Sequence, residues 1–206
     1  PRFPLDQFIL ANLKGAVPAP ASTAQDWLQR TARDLTGLPP DPALRAAFEQ
    51  TLLTDGEEAA MRDEALDELL ASPAFGEHMA TIWLQHARYS DYLAPDLPNG
   101  QWPYRDWVVG AFNANLPLDQ FLTDQLAGDL LPNPTRDQLL ATAFNRLQPL
   151  GPTHSNSTQD NAAKRAESFA RTMLGLDLRC AKCHEHPYDP LTPADYSALL
   201  SFFDGI

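Results

Sequence analysis

Both cysteines of the chain lie in the stretch RCAKCHEHPYDP, residues 179–190. Cys180 and Cys183 are separated by two residues, and His184 follows the second cysteine directly. This is the C-x-x-C-H pattern by which haem is attached covalently to a polypeptide. In that chemistry the two thiols add to the vinyl groups on one edge of the porphyrin, and the adjacent histidine becomes the proximal ligand of the iron. The stretch therefore predicts a haem c site, with Cys180 and Cys183 as attachment residues and His184 as the iron ligand.

Two other chemistries use the same atoms. Zinc could recruit Cys180, Cys183, His184 and His186, although structural zinc sites normally take their ligands from two separated knuckles. A redox dithiol of the thioredoxin type has its C-x-x-C beside a βαβ unit, whereas the surrounding pattern here is helical. Haem attachment is the favoured interpretation, and both alternatives stay open.

A distal ligand for the iron would have to come from upstream, because no His or Met follows His186. His154 is the first candidate, since it lies in a loop rich in Pro, Gly, Ser and Asn just before the helix that leads to the motif. Met173 on that helix and His86 on an earlier one are the further candidates. With none of them the iron is five-coordinate, and a haem enzyme acting on peroxide or a small substrate becomes an alternative to an electron carrier.

Helical patterns bounded by Pro, Gly and capping residues supply the elements that must position this motif. Ser22 or Thr23 is expected to cap one helix that ends at Gly37. The run from Thr192 to Asp195 has the form of a capping box with proline at the first helical position. No period-2 strand pattern is visible. The predicted fold is all-α, an irregular multi-helix single domain over residues 1–206 with short Pro-rich connections and the haem motif near its C-terminus.

One of these helices carries an aromatic and aliphatic stripe. In the stretch SPAFGEHMATIWLQHARYSDY, five side chains recur at helical spacing, namely Phe75, Met79, Ile82, Trp83 and His86. The spacing predicts that they form the buried face of the helix, with His86 in the middle of an apolar stripe.

The charge and hydropathy of the chain restrict its partners. The formal net charge is −12, which repels phosphate backbones and excludes nucleic acid as a partner; it favours a basic redox protein. No run of about 18 apolar residues occurs, so we expect no membrane span. The first residues lack a basic segment followed by a long apolar one, so a signal peptide has been removed or never existed.

Several stretches together resemble a known family. They are LGLDLRCAKCHEHPYDPLTPADYSALLSFF, DLTGLPP, LLASPAFGEHMATIWLQHARYSD, YRDWVVGAFNANLPLDQFLTDQLAGDLLP and ATAFNRLQP. The chain resembles a domain of unknown function from secreted proteins of planctomycetes and related bacteria, which commonly accompanies planctomycete-type cytochrome c domains. The resemblance implies a periplasmic or secreted, haem-linked protein that is often part of a larger polypeptide. It brings no known reaction.

Three functional hypotheses follow. The favoured one is a monohaem c-type cytochrome domain that carries single electrons between partners outside the cytoplasm. The second is a haem-dependent oxidoreductase with an open distal site, so the sequence leaves enzymatic activity uncertain. The third is a structural zinc or interaction domain that uses the C-x-x-C-H residues without haem.

Overall fold

A computed structural model describes residues 4–20, 22–51, 58–90, 101–147 and 158–204. Within these ranges the chain forms α-helices and no strand, which confirms the predicted all-α class. The helices are α1 (Pro4–Asn12), α2 (Ala24–Thr36), α3 (Pro42–Thr51), α4 (Glu58–Ala71), α5 (Pro73–His86), α6 (Trp102–Asn113), α7 (Leu118–Ala127), α8 (Arg136–Ala141), α9 (Thr158–Phe169) and α10 (Pro193–Ser201). None of the helices in these ranges is long and apolar enough to cross a membrane.

Capping residues begin and end the helices where the sequence predicts them. The Thr23 hydroxyl accepts the Asp26 amide at 3.1 Å at the start of α2. Gly37, after the last residue of α2, has a left-handed φ of 70°, a conformation that glycine adopts without strain. Thr192 and Asp195 form the predicted capping box of α10, each side chain bonded to the other residue's backbone amide. These helix boundaries are confirmed.

The chain divides into two compact units. One consists of Pro1–Asp34 and Pro39–Leu66, the other of Leu35–Leu38 and Asp67–Ile206. In the first unit Trp27 stacks on Phe48 with ring centroids 5.8 Å apart. The second unit contains the C-x-x-C-H motif. The expectation of one domain over residues 1–206 stays a prediction.

Small residues form the buried face of α5 in the second unit. Gly76, Ala80 and the following Ala87 are buried, and the Asn113 side chain lies so close to Gly76 that a Cβ there would clash with it. The predicted stripe is therefore wrong at two positions, because Ile82 is 46% exposed and His86 is exposed at the end of the helix. The physical reason is that α6 packs closely against the glycine and alanine residues of α5. Such small residues contribute little to a hydrophobicity pattern.

The core around α5, α6 and α7 contains a buried polar network. The Tyr104 hydroxyl donates to Gln125 Oε1 at 2.6 Å, and Trp83 Nε1 donates to the same oxygen at 3.0 Å. Gln125 is fully buried, and its amide nitrogen donates to the Phe121 carbonyl. Burial raises the pKa of Tyr104 far above its ordinary value, so this hydroxyl stays neutral and acts as a donor. Each polar side-chain atom of the network has a partner within the core.

Candidate functional site

The chain reaches the C-x-x-C-H motif through a distorted helix end. After α9 the helix widens into a π-helical segment over Ala170–Leu174, a distortion that is frequent at functional sites. The segment ends at Gly175, whose φ of 67° turns the chain, and the Leu176 amide donates back to the Ala170 carbonyl at 3.0 Å. Thr172 Oγ1 donates to the His86 carbonyl at 2.9 Å and so holds the segment against the end of α5.

Asp177 fixes the chain just before the cysteines. Its carboxylate accepts hydrogen bonds from the Arg179 guanidinium at 2.6 and 2.9 Å, from the Arg179 backbone amide and from Arg171 at 3.2 Å. These bonds, with that from the Arg179 side chain the largest, hold the pKa of Asp177 far below its usual range. The sequence pattern did not single out Asp177, although Asp side chains in turns commonly accept the backbone amide two residues on.

The motif itself is a short helical turn. Cys180–Lys182 is 3-10 helical, and the Cys180 carbonyl accepts the amides of Cys183 at 3.3 Å and His184 at 3.4 Å. Cys183 and His184 follow Cys180 by three and four residues, which is the length of about one helical turn. Both cysteines are free thiols; Cys180 is half-buried, whereas Cys183 and His184 are exposed.

The opposite side of this turn is buried. Ala181, between the two cysteines, has no exposed surface and lies in one apolar cluster with Leu178 of the incoming chain and Tyr196 of α10. Helix α10 thus packs against the turn from behind. Ala181 is buried, whereas Cys180 is half-buried and Cys183 is exposed. The turn therefore has a buried back and an open front.

The two histidines of the stretch have different hydrogen bonds. His184 Nδ1 lies 2.7 Å from the Glu185 carbonyl, and because a carbonyl only accepts, Nδ1 is the donor of this hydrogen bond; in a neutral ring this leaves the lone pair on Nε2. His186 Nδ1 instead accepts the amides of Asp189 at 2.9 Å and Tyr188 at 3.3 Å. His186 therefore closes the turn towards α10, whereas the arrangement of His184 is the one that a metal-binding imidazole needs.

The candidate distal ligands lie at separate places. Met173 is half-buried in the π-helical segment and packs against the core around Tyr104. His86 is exposed at the end of α5. His154 lies outside the described residues, as does most of the loop that holds it. These distal assignments stay predictions.

Basic residues are concentrated next to the motif. Residues 164–182 contain five of the 15 Lys and Arg residues of the chain but two of its 27 Asp and Glu residues. Of these basic side chains, Arg179 is tied to Asp177, and Arg165 donates to the Asn145 carbonyl at 3.0 Å. Lys182, between the cysteines, is exposed. The motif is therefore in a locally cationic run of an acidic chain.

The residues of this turn are of the types that covalent haem attachment uses. In the part of the chain that the structure describes, no group of three or more His, Cys, Asp and Glu side chains is arranged to hold a metal ion. His186, which the zinc alternative could recruit, accepts the Asp189 amide through Nδ1. Two free thiols and one imidazole with an available Nε2 on a single turn are what covalent attachment and single axial ligation require.

Fold and site together define the class of this molecule, an all-α protein whose C-terminal helix supports a C-x-x-C-H turn. A family model described as a protein of unknown function, DUF1549, with the short name PSCyt2, matches residues 4–206. The chain belongs to this family. A search of curated proteins and a search of solved structures each found no significant match.

Proposed function

We propose that the chain is a monohaem c-type cytochrome domain that transfers single electrons outside the cytoplasm. The observation that carries the proposal is the turn Cys180–His184, which contains two free thiols and an imidazole and has a buried alanine between the cysteines. The family's short name is in keeping with a link to cytochromes, though the description of the family gives no function.

The thiols of Cys180 and Cys183 are the covalent anchors. Each adds its S–H across the C=C of one vinyl group, so that sulfur bonds to one carbon and hydrogen to its neighbour, and no oxidant or reductant is consumed. The exposure of Cys183 and the absence of a disulfide between the two cysteines leave both sulfurs available for this addition. Bound haem supplies the one-electron change between ferric and ferrous iron.

His184 binds the iron through Nε2 in this proposal. The Glu185 carbonyl holds the ring by Nδ1, which fixes both the tautomer and the ring orientation and makes the free nitrogen more basic. A side-chain substitution at Glu185 cannot remove this hydrogen bond, because the acceptor is a backbone carbonyl.

The charge around the motif suits a ligand with carboxylates. The two propionates of haem are negative, and the basic residues that precede the cysteines, from Lys164 to Arg179, would be a run of opposite charge for them. The rest of the chain carries the excess of acid, so we propose a basic redox protein as partner, docked on the acidic surface by electrostatic steering. The proposed location is the periplasm or the exterior of the cell, within a polypeptide that can include further domains.

The distal side decides between an electron carrier and a haem enzyme. His154 is the proposed sixth ligand, with Met173 and His86 as the other candidates. A ferric protein that is low-spin and does not respond to cyanide, and becomes high-spin in His154→Ala, supports this assignment. A high-spin wild-type protein would favour the enzyme with an open distal position.

Expression with a c-haem maturation system tests the proposal. We expect wild-type chain to keep its haem stain on a denaturing gel, and the double variant Cys180→Ala, Cys183→Ala to lose it. The variant Lys182→Ala is the matched control, since it changes an exposed side chain inside the motif and leaves C-x-x-C-H intact. A wild-type chain that is colourless and contains zinc would contradict the proposal.

A further inference from the structure

Helix α1 carries an apolar face that is exposed along its length. None of its residues is buried. Leu5, Phe8 and Ile9 follow one another at spacings of three and four residues, which places them on one face of the helix. Their exposed fractions are 68%, 70% and 57%. A contiguous apolar face on a protein surface commonly marks an interaction site, whereas a single exposed apolar residue does not.

The chain after α1 makes this helix a separate element. Lys14 and Gly15 have left-handed φ values of 48° and 89°, so the helix ends in a tight turn. Pro18 and Pro20 follow, and proline restricts the backbone and cannot continue a helix. Helix α1 is therefore joined to α2 by a turn and a proline-restricted segment.

Charge indicates which kind of partner suits this face. The chain has a net charge of −12, yet residues 4–20 contain one acidic residue, Asp6, and one basic residue, Lys14. A basic protein would be attracted to the acidic regions of the chain and not to a neutral segment. Two copies of the chain repel each other, and a neutral segment is where they can approach at the least electrostatic cost. The face therefore fits a second copy of this chain better than it fits a basic protein.

The size of the face suits a weak symmetric contact. Three side chains of this size and exposure present on the order of 400 Å² per copy, so a symmetric pair would bury about 800 Å² in total. That area is at the low end for specific interfaces and is typical of transient ones. We propose that α1 is a self-association site, at which two copies pair antiparallel about a two-fold axis near Phe8 and Ile9. Antiparallel pairing opposes the two helix dipoles, and burial of the apolar face drives the association.

Sedimentation equilibrium of the full chain tests the inference. We expect the apparent mass to rise from that of one chain towards that of two, with a Kd on the order of 10–100 μM. Phe8→Glu should weaken the association about tenfold or more. Leu130→Glu is the matched control, since it places the same charge at a leucine that is 80% exposed in the other compact unit, and it should keep the wild-type Kd. Added salt should strengthen the association, because it screens the repulsion between two acidic chains.

Cysteine cross-linking locates the contact on the helix. In the background Cys180→Ala, Cys183→Ala, the variant Ile9→Cys should form a disulfide-linked dimer several times faster than Leu10→Cys. Both positions are exposed, at 57% and 41%, but consecutive residues of a helix point in different directions. The difference in rate therefore reports which face of α1 meets the second copy.

Three results would overturn the inference. One is a wild-type chain that stays monomeric up to about ten times the expected Kd. Binding of the dye ANS by such a chain, lost in Phe8→Glu, would mean that the face serves a different protein, and no binding would mean that its own chain covers it. The second is an unchanged Kd in Phe8→Glu, and the third is equal cross-linking at the two cysteine positions. None of these measurements depends on haem, so their outcome is independent of the proposed function.

Discussion

The core around Tyr104 and the cluster around Tyr196 belong to the same compact unit but differ in the hydrogen bonding of their buried polar groups. In the core around Tyr104, the side chains of Trp83, Tyr104 and Gln125 form hydrogen bonds with one another. In the cluster around Tyr196, the buried tyrosine hydroxyl has no partner among the residues that the structure describes, and both cysteines are free thiols. Regions where a chain departs from internal consistency are where a functional site is expected. The two regions therefore differ in how far the described residues satisfy their buried polar groups.

The cysteine turn is nevertheless held firmly. Asp177 ties the chain before it to two arginines, His186 closes the loop after it, and the Thr192 cap starts the helix behind it. Functional groups supported in this way by neighbouring bonds keep their geometry before a ligand arrives.

The largest expected effect comes from removing the acceptor of the satisfied network. Gln125→Leu leaves the Tyr104 hydroxyl without its acceptor and removes one from Trp83, so we expect a loss of about 2–3 kcal/mol in the free energy of unfolding. Urea denaturation of the two variants measures this loss in the free energy of unfolding. Gln85→Leu, on the exposed side of α5, is the control and should change stability by less than about 0.5 kcal/mol. Equal effects of the two variants would mean that the network does not stabilise the core.

Overpacking the back of the cysteine turn should have the next largest effect. Ala181 is fully buried against Leu178 and Tyr196, so Ala181→Leu should cost about 1–3 kcal/mol of stability. It should also reduce the haem content of chains matured in cells. Lys182→Leu, one residue later and exposed, should do neither. If both variants behave alike, the turn does not have the buried back and open front described above.

A smaller, pH-dependent effect is expected at Asp177. Its carboxyl is 40% exposed, so solvent screening limits the loss in Asp177→Asn to about 0.5–1 kcal/mol at pH 7. Because its folded pKa lies below the unfolded value of about 3.9, this stabilisation is complete above that value and is lost as the pH falls through the folded pKa. Urea unfolding at several pH values measures the difference. A difference that persists undiminished at the lowest pH would show that the charge is not its source.

Part of this structure could be predicted from sequence. The caps at Thr23 and Thr192 were predictable because a hydroxyl and a carboxylate at that spacing satisfy specific backbone amides. The buried face of α5 could not be predicted, because Gly76 and Ala80 permit close packing but contribute little to a hydrophobicity pattern. Helix α1 and the division into two units were not predicted either.

The candidate site was located from sequence but not understood in detail. C-x-x-C-H identified the cysteines and His184, whereas the hydroxyl of Tyr196 depends on how α10 packs against the turn. Tyr196, Leu199 and Phe203 are spaced three and four residues apart, as on one face of a helix. It could not indicate that the buried hydroxyl lacks a partner, because this is a property of tertiary contacts.

The pyridine haemochrome spectrum of the purified, denatured chain, made with c-haem maturation machinery, tests the central claim most directly. The account predicts a covalent haem c spectrum at one haem per chain, with the haem lost in Cys180→Ala, Cys183→Ala and retained in Lys182→Ala. A matured wild-type chain that gives no haemochrome, or one whose haem is extracted from the denatured chain, would contradict it.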